Sequence, residues 1–314
     1  MKQIKLKAYG KINLGLDIVG RREDGYHEVR MIMQTVGIYD RLYMERVSTD
    51  RVSLETNLAY LPTGEGNLVC RAIELLRQEF HIRQGVHVRL QKFIPVAAGM
   101  AGGSADAAAA LVGMNYLFRL RLSKEELMKR GLRLGADVPY CILRRTALSE
   151  GIGEKLTPLP APPDCHILIA KPKASASTKL IYERYDACTS VCHPDIDAML
   201  EGLRQRDLKQ ITGAMGNVLE PVTAAECPVI EEIKRVMTAG GALRAMMTGS
   251  GTTVFGLFQK EDEAKQVREQ LRQDTRIRQI YLSRWFHPLQ RPQMEKQTAK
   301  ERDERVEGFS GDNQ

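Results

Sequence analysis

The chain has 314 residues, of which 43% are hydrophobic and 27% are charged, and its formal net charge is +7. This length favours about two domains of ordinary size, and the composition excludes a mainly disordered protein. The basic residues are scattered, so a polyanionic small substrate accounts for the charge as well as nucleic acid does. The N-terminus has no apolar signal region and no long apolar run follows, so we expect a cytoplasmic protein without a membrane span.

The N-terminal half alternates strands and helices. Apolar and polar residues alternate over 3–19 and predict extended structure, which the turn RREDGYH ends. Asn67 is a good N-cap for a helix through Phe80, and Ser123 with Glu126 forms a capping box at the start of a helix over 124–134. An alanine-rich helix is predicted over 104–117. Further strands are predicted over 29–36, 41–47, 51–55 and 86–91.

A proline-rich segment, LTPLPAPPD over 156–164, marks a domain boundary because it can continue neither a helix nor a central strand. We therefore predict an N-terminal domain over 1–158 and a C-terminal domain over 159–287. The residues from 288 to 314 are almost devoid of apolar side chains and predict a disordered tail. The second domain is predicted to contain strands near 166–170, 243–248, 253–258 and 278–284, with helices near 229–238 and 261–272.

The six cysteines lack the spacing of a zinc site, and we expect reduced, mostly buried thiols. Cys188, Cys192 and His193 are close in sequence, but no second pair completes a tetrahedral metal site.

The segment PVAAGMAGGSADAAAA, residues 95–110, combines a glycine-rich loop with the start of a helix. Its glycines allow successive N–H groups to converge on an anion, and the helix dipole adds positive potential there. Ser104 and Asp106 are expected to open the helix. The loop lacks the lysine of a P-loop, and close packing of a strand on a helix remains an alternative explanation for its glycines.

Three other features contain candidate catalytic or ligand-binding residues. Lys11 and Asn13 share one face of the first strand, and Asp137 lies in GADVPY after a helix. A second glycine cluster, TGSG at 248–251, lies between two apolar runs. Each has a structural alternative: an exposed strand lysine, a turn aspartate and a hairpin turn.

Taken together, these segments resemble the three motifs of the GHMP family of small-molecule kinases. The three motifs are matched, in order, by AYGKINLGLDIVGRREDGYHEV, KFIPVAAGMAGGSADAAAALVGMN and AMMTGSGTTVFGLF, and the shorter patterns KINL, REDGYH, NLVCRA and LGADVP also fit. The resemblance covers about residues 8 to 285. It implies a two-domain α+β fold, with an N-terminal domain like ribosomal protein S5 domain 2, a ferredoxin-like C-terminal domain, and an active site between them. It also implies a monomer or weak homodimer that binds neither nucleic acid nor membrane.

The activity that the resemblance implies is ATP- and Mg²⁺-dependent phosphorylation of a tertiary hydroxyl, in non-mevalonate isoprenoid precursor biosynthesis. The small-molecule substrate is a methylerythritol that carries a cytidine diphosphate group. Asp137 is expected to be the general base and Lys11 its charged partner, which also supplies the cation that the loop lacks. Ser104 is a candidate ligand of magnesium.

The resemblance also assigns binding residues. His27 is expected to read the cytosine edge and Tyr182 to stack on the ring, where stacking is worth roughly 1–3 kcal/mol per base. The substrate set comprises Asn13, Tyr26, His27, Met33, Thr178, Tyr182 and Gly249. The ATP set comprises Asn67, Pro95, Val96, Ala97, Ala98, Gly99, Met100, Ala101, Gly102, Gly103, Ser104 and Ala105.

The chain departs from the family pattern at three positions. Met33 stands where many members have an aromatic residue, and a thioether can still pack on a ring. Ala101 and Ala105 replace glycine and serine, which narrows the backbone freedom at one position and removes a hydroxyl at the other. Two rivals remain at this stage: a kinase for another alcohol such as homoserine or mevalonate, and a nucleic-acid-binding protein with the S5-like fold.

Overall fold

A computed structural model describes residues 2–286, which form two β-sheets and the helices that pack on them. The predicted tail, 288–314, lies outside the described residues. Two long antiparallel strands, β1 (Gln3–Arg21) and β2 (His27–Val47), form the centre of the first sheet. They are joined by a turn at 22–26, as the sequence predicts.

The break predicted between strands 29–36 and 41–47 is wrong, because β2 continues through it. Tyr39 and Asp40 remain paired with Tyr9 and Ala8 of β1, and a register shift between Tyr9 and Lys11 absorbs the irregularity. A bulge of this kind bends a strand without ending it.

The first sheet has the strand order β3-β4-β2-β1-β8. In addition, β5 pairs with residues 29–34 of β2 and with β6. Its parallel pairs are β3–β4 and β1–β8; the other pairs are antiparallel. These strands are β3 (Val52–Thr56), β4 (Gly85–Gln91), β5 (Thr146–Gly151), β6 (Lys155–Pro158) and β8 (Gly216–Asn217).

One face of this sheet is covered by helices α1 (Leu68–Glu79), α2 (Gly102–Phe118), α3 (Lys124–Leu132) and α4 (Val138–Leu143). The central α2 is mostly apolar, and its alanine-rich middle, residues 105–111, is buried throughout. A side chain at Gly113 would lie 2.3 Å from the Met44 sulfur, so glycine lets α2 approach the sheet closely. The sequence analysis did not predict α4, which carries Pro139 in its first turn, where proline is tolerated.

The second sheet has the order β11-β7-β10-β9, with β7 (His166–Pro172) at its centre. Its other strands are β9 (Arg244–Met247), β10 (Val254–Phe258) and β11 (Ile277–Ser283). The helices of this half are α5 (Thr178–Asp186), α6 (Ile196–Gln205), α7 (Leu208–Ala214), α8 (Glu220–Glu226), α9 (Val229–Ala239) and α10 (Glu261–Arg272). The predicted boundary at 158/159 falls between β6 of the first sheet and β7 of the second, although β8 later returns to the first sheet and pairs with β1. Within residues 2–286, no helix is long and apolar enough to cross a membrane.

Candidate active site

A cavity of about 720 Å³ brings the three sequence motifs together. Its wall contains Lys11 from β1, the glycine-rich loop, Asp137 before α4, and Gly249 from the second glycine cluster. These segments are far apart in sequence, so the fold alone assembles them. The predicted residues in the wall are Lys11, Tyr26, Asn67, Pro95, Val96, Ala97, Ala98, Gly99, Ala101, Gly102, Gly103, Ser104, Asp137, Thr178, Tyr182 and Gly249.

The glycine-rich loop has the backbone geometry of an anion-binding concavity. Ala97, Gly99 and Ala101 all have positive φ, at 50°, 70° and 54°, so left-handed residues recur at alternate positions. Such alternation turns successive N–H groups toward one point. The loop can therefore hold a phosphate group by its backbone alone.

Glycine is required at position 99. A side chain there would lie 2.1 Å from the Thr248 carbonyl oxygen, so the first and second glycine-rich segments touch through their backbones. Thr248 also donates from its hydroxyl to the Gly99 carbonyl, at 3.4 Å, and accepts from the Asn13 N–H, at 3.0 Å. All three motifs thus meet at Thr248.

Helix α2 begins at Gly102, two residues earlier than predicted, and its start carries no side-chain cap. The N–H groups of the first helical turn are therefore open to an anion, and they face the loop. Ser104 lies inside this first turn and its side chain joins the wall. Asp106 does not open the helix as expected but is buried beneath it.

Ala101 is the N-cap of α2 and holds a left-handed conformation, with φ 54° and ψ 33°. This conformation costs a residue with a side chain about 1–2 kcal/mol. We expect Ala101→Gly to raise the free energy of unfolding by about 0.5–1 kcal/mol, since the freer unfolded chain offsets part of the gain. Urea denaturation measures this change. Ala105→Gly, inside the helix, is the control and should lower the stability by about 1 kcal/mol; an equal effect of both variants would contradict the assignment.

Lys11 is 5% exposed, and its ammonium group donates to the Asn13 side-chain oxygen at 2.7 Å. The Lys11 backbone N–H donates to the Met100 carbonyl at 3.1 Å, which ties β1 to the loop. Asn13 is fully buried, and its amide contacts the Met31 sulfur at 3.4 Å. Asn13 was predicted to bind substrate, but the structure places it outside the cavity wall, where its side chain holds Lys11.

Asp137 is the residue before α4 and is partly exposed to the cavity. Its carboxylate makes no cap hydrogen bond to the helix, and none to any other group in residues 2–286. The Asp137 charge acts on a neighbouring tyrosine, because burial, and then Asp137, raise the pKa of Tyr182 to about 12. A carboxylate without structural partners in a cavity wall is free to act on a ligand.

Lys92 was missed by the sequence analysis, although it lies in the cavity wall directly beneath the loop. A side chain at Gly102 would be 3.2 Å from its ammonium nitrogen. Lys92 is bound by two buried carboxylates, Asp40 and Asp106, the latter at 2.6 Å. Burial and the neighbouring Asp40 raise the pKa of Asp106, against the effect of Lys92. Its second oxygen is buried and has no hydrogen-bond partner in the described chain.

Aromatic side chains line another part of the cavity. Tyr26 is 61% exposed, and Tyr182 from α5 lies with its ring centroid 4.9 Å from that of His27. Thr178, at the start of α5, shares a hydrogen bond of 2.8 Å with the Ser250 hydroxyl. His27 itself stands behind Tyr182, outside the wall, and its Nε2 is 2.6 Å from an oxygen of Asp186. Asp186 had no signal in the sequence.

Met33 was predicted to pack on the substrate ring, but the structure places it fully buried and outside the cavity wall. Met31, two residues earlier on the same face of β2, lines it instead. Met100 and Ala105 are also buried away from the wall, because one faces the core and the other lies inside α2.

Asn67 caps α1 and also lines the cavity. Its oxygen accepts from the Val69 N–H at 2.9 Å, and its amide donates to the Pro62 carbonyl at 2.8 Å. Within residues 2–286, no cluster of three or more His, Cys, Asp or Glu side chains could hold a metal ion. The six cysteines are free thiols, and Cys188 and Cys192 are exposed.

Comparison with known proteins gives the family. Residues 67–145 match the family "GHMP kinases N terminal domain", and residues 179–276 match "GHMP kinases C terminal". A 4-diphosphocytidyl-2-C-methyl-D-erythritol kinase of Lachnospira eligens is 54% identical over 288 residues, which are 92% of this chain and all of that protein. The chain belongs to the GHMP kinases.

Solved structures agree with this assignment. The crystal structure of a 4-(cytidine 5'-diphospho)-2C-methyl-D-erythritol kinase has a TM-score of 0.76 and 32% identity, and the match covers 90% of this chain and all of that one. A homoserine kinase from Cytophaga hutchinsonii has a TM-score of 0.74 at 19% identity, with 90% and 95% covered, and shows the shared fold alone. The expected two-domain α+β fold is thereby confirmed, and the chain is an ATP-dependent small-molecule kinase.

Proposed function

We propose that this GHMP kinase transfers the γ-phosphoryl group of ATP to the tertiary 2-hydroxyl of 4-diphosphocytidyl-2-C-methyl-D-erythritol, in non-mevalonate isoprenoid precursor biosynthesis. The observation that carries the proposal is the composition of one cavity. An anion-binding loop, a lysine with a partnerless carboxylate, and a pair of tyrosines line the same space. A phosphoryl donor, an alcohol and a pyrimidine ring are the groups that such a wall would bind.

The loop and the first turn of α2 would hold the ATP phosphates by backbone N–H groups. Lys92 would lie beneath them, since its ammonium group lies against Gly102, but its charge is already matched by Asp40 and Asp106. Lys11, for which the resemblance implies this role, is therefore the cation that would offset the charge of the phosphates. Phosphoryl transfer depends mainly on such positioning and electrostatic stabilisation.

Asp137 would accept the proton of the tertiary alcohol as its oxygen attacks the γ-phosphorus. Lys11 would offset the negative charge that grows on the phosphoryl oxygens. Asn13 keeps the Lys11 ammonium group in place through its 2.7 Å hydrogen bond. The acid–base pair is therefore held by the first strand and by the residue that begins α4.

Mg²⁺ bound to the phosphates of ATP would neutralise part of their charge, and a site for it fits the residues present. Magnesium prefers oxygen ligands and is commonly held by one or two protein groups together with substrate phosphates. Ser104 offers a hydroxyl in the wall, and the unpartnered oxygen of Asp106 lies in the turn that follows.

The cytidine end would lie against Tyr26 and Tyr182. The bond between His27 Nε2 and Asp186 favours the tautomer in which Nε2 carries the proton, which leaves Nδ1 as an acceptor. The amino group of cytosine is a donor, so the two are complementary. Asp186 would thus set the orientation and tautomer of the base-reading histidine.

We expect His27→Ala to raise the KM for the cytidine-bearing substrate about tenfold and to leave the KM for ATP within about twofold. A hydrogen bond of this kind contributes roughly 0.5–1.5 kcal/mol, and the ring also supports Tyr182. Steady-state kinetics with each substrate varied in turn measures both constants. His193→Ala is a matched control, because His193 also pairs with an aspartate, Asp17, at 2.6 Å. An unchanged KM for the cytidine substrate would remove His27 from the site.

The direct test of the function is an ADP-release assay with ATP, Mg²⁺ and the diphosphocytidyl methylerythritol substrate. Homoserine and mevalonate serve as the competing acceptors, because kinases for them share the fold. We expect turnover with the cytidine-bearing substrate and none above background with the other two. Preference for either competitor would overturn the proposed substrate.

A further inference from the structure

The face of the β1–β2 hairpin away from α2 carries a second cavity, of about 440 Å³, which shares no residue with the catalytic one. Strand alternation places Lys5, Lys7 and Tyr9 of β1 on this face. The register sets them directly opposite Tyr43, Arg41 and Tyr39 of β2. Two antiparallel strands thus present an ordered array of cations and phenols to one hollow.

The cations of this face lie over aromatic rings. The Lys7 nitrogen is 4.3 Å from the centre of the Tyr39 ring, and the Lys5 nitrogen is 5.6 Å from that of Tyr43. Arg41 lies 5.8 Å from the same Tyr39 ring. These contacts restrict the long side chains and reduce the freedom lost when they bind a ligand.

The charges of Lys5, Lys7 and Arg41 are not balanced by carboxylates in the wall of this cavity. The cavity wall contains no aspartate or glutamate, and Lys5, Lys7 and Arg41 form no ion pair with any carboxylate of residues 2–286. Lys7 stands directly opposite Arg41, and like charges in that position destabilise a sheet. The two cations together hold the pKa of Tyr39 below its ordinary value.

We propose that this cavity binds a small molecule that bears a di- or triphosphate group. Lysine and arginine provide charged donors for phosphate oxygens, and tyrosine hydroxyls provide neutral ones. Residues two apart on a strand are about 6–7 Å apart, so Lys5 and Lys7 can engage different phosphates of one ligand. The volume falls in the range of small-molecule sites, about 300–1,000 Å³, and is too small for a folded partner.

Calorimetric titration with inorganic tripolyphosphate tests the proposal. The full chain is first saturated with a non-hydrolysable ATP analogue and excess Mg²⁺, so that the catalytic cavity is occupied. We expect one further tripolyphosphate bound per chain. A local reporter is available, because Trp285 is the single tryptophan and is adjacent to Phe286 of the cavity wall. Its fluorescence should change with the same midpoint.

The variant Lys5→Gln/Lys7→Gln/Arg41→Gln should weaken this binding at least tenfold and leave kcat unchanged, since none of the three lines the catalytic cavity. The matched control Lys129→Gln/Lys209→Gln/Arg235→Gln loses the same charge from exposed positions on α3, α7 and α9 and should bind like the parent. Absence of binding at millimolar tripolyphosphate, or equal weakening in both variants, overturns the proposal. Binding of single-stranded oligouridine in place of tripolyphosphate would also overturn it and assign the face to nucleic acid.

Discussion

Asp137→Asn is expected to lower kcat by about 10²–10⁴-fold, the usual contribution of a general base, while ATP still binds. Asparagine has the shape of aspartate but cannot accept the alcohol proton. The Asp137 carboxylate makes no hydrogen bond within residues 2–286, so the substitution removes no structural contact. The phosphate loop, which would bind ATP, is formed by other residues. Single-turnover kinetics measure the chemical step, and calorimetry measures the dissociation constant of ATP.

Asp262→Asn is the control for Asp137→Asn, because Asp262 is an exposed residue in the first turn of α10, outside the cavity wall. Its kcat should equal that of the parent protein. Turnover by Asp137→Asn within tenfold of the parent would remove Asp137 from the role of base. Loss of ATP binding in that variant would instead assign Asp137 a part in forming the nucleotide site.

The sequence predicted those parts of the site that local chemistry specifies. Alternation predicted the strand that carries Lys11, and the capping pattern predicted α3 with its reciprocal Ser123–Glu126 bonds. The glycine spacing predicted a loop that could hold an anion. The assignment of these segments to one cavity came from the resemblance, because no local pattern states that residues 11, 99 and 248 are neighbours.

The remaining parts of the site depend on contacts between residues far apart in sequence. Lys92 follows β4 as one lysine among many, and only the fold places it between Asp40 and Asp106. Asp186 ends α5 and meets His27 from 159 residues away. Asn13 and Met33 were expected in contact with substrate, but both are fully buried in the packed sheet. Burial depends on tertiary packing, which single-strand alternation does not determine.

Lys92→Met is expected to lower the free energy of unfolding by about 3–5 kcal/mol, the usual cost of removing one partner from a buried ion pair. Methionine fills a similar volume but leaves Asp40 and Asp106 facing each other without a cation. Lys171→Met is the matched control. Lys171 is also buried, but within residues 2–286 its ammonium group binds neutral groups alone: the carbonyls of Pro172 and Ala174 and the Thr252 hydroxyl. Chemical denaturation should show a smaller loss for Lys171→Met.

The stability of Lys92→Met should also depend on pH, and the direction follows from Asp106. Burial, and then Asp40, raise the pKa of Asp106, and Lys92 lowers it, so the variant raises this pKa further. Between the unfolded pKa of about 3.9 and the raised folded pKa, the native state binds more protons, so stability falls as pH rises. The loss relative to the parent should therefore be smallest near pH 5 and widen toward pH 8. Adding Asp106→Asn to Lys92→Met should make the stability loss nearly independent of pH, because it removes the titrating carboxyl. If the loss caused by Lys92→Met alone does not depend on pH, Lys92 stabilises the fold by packing alone.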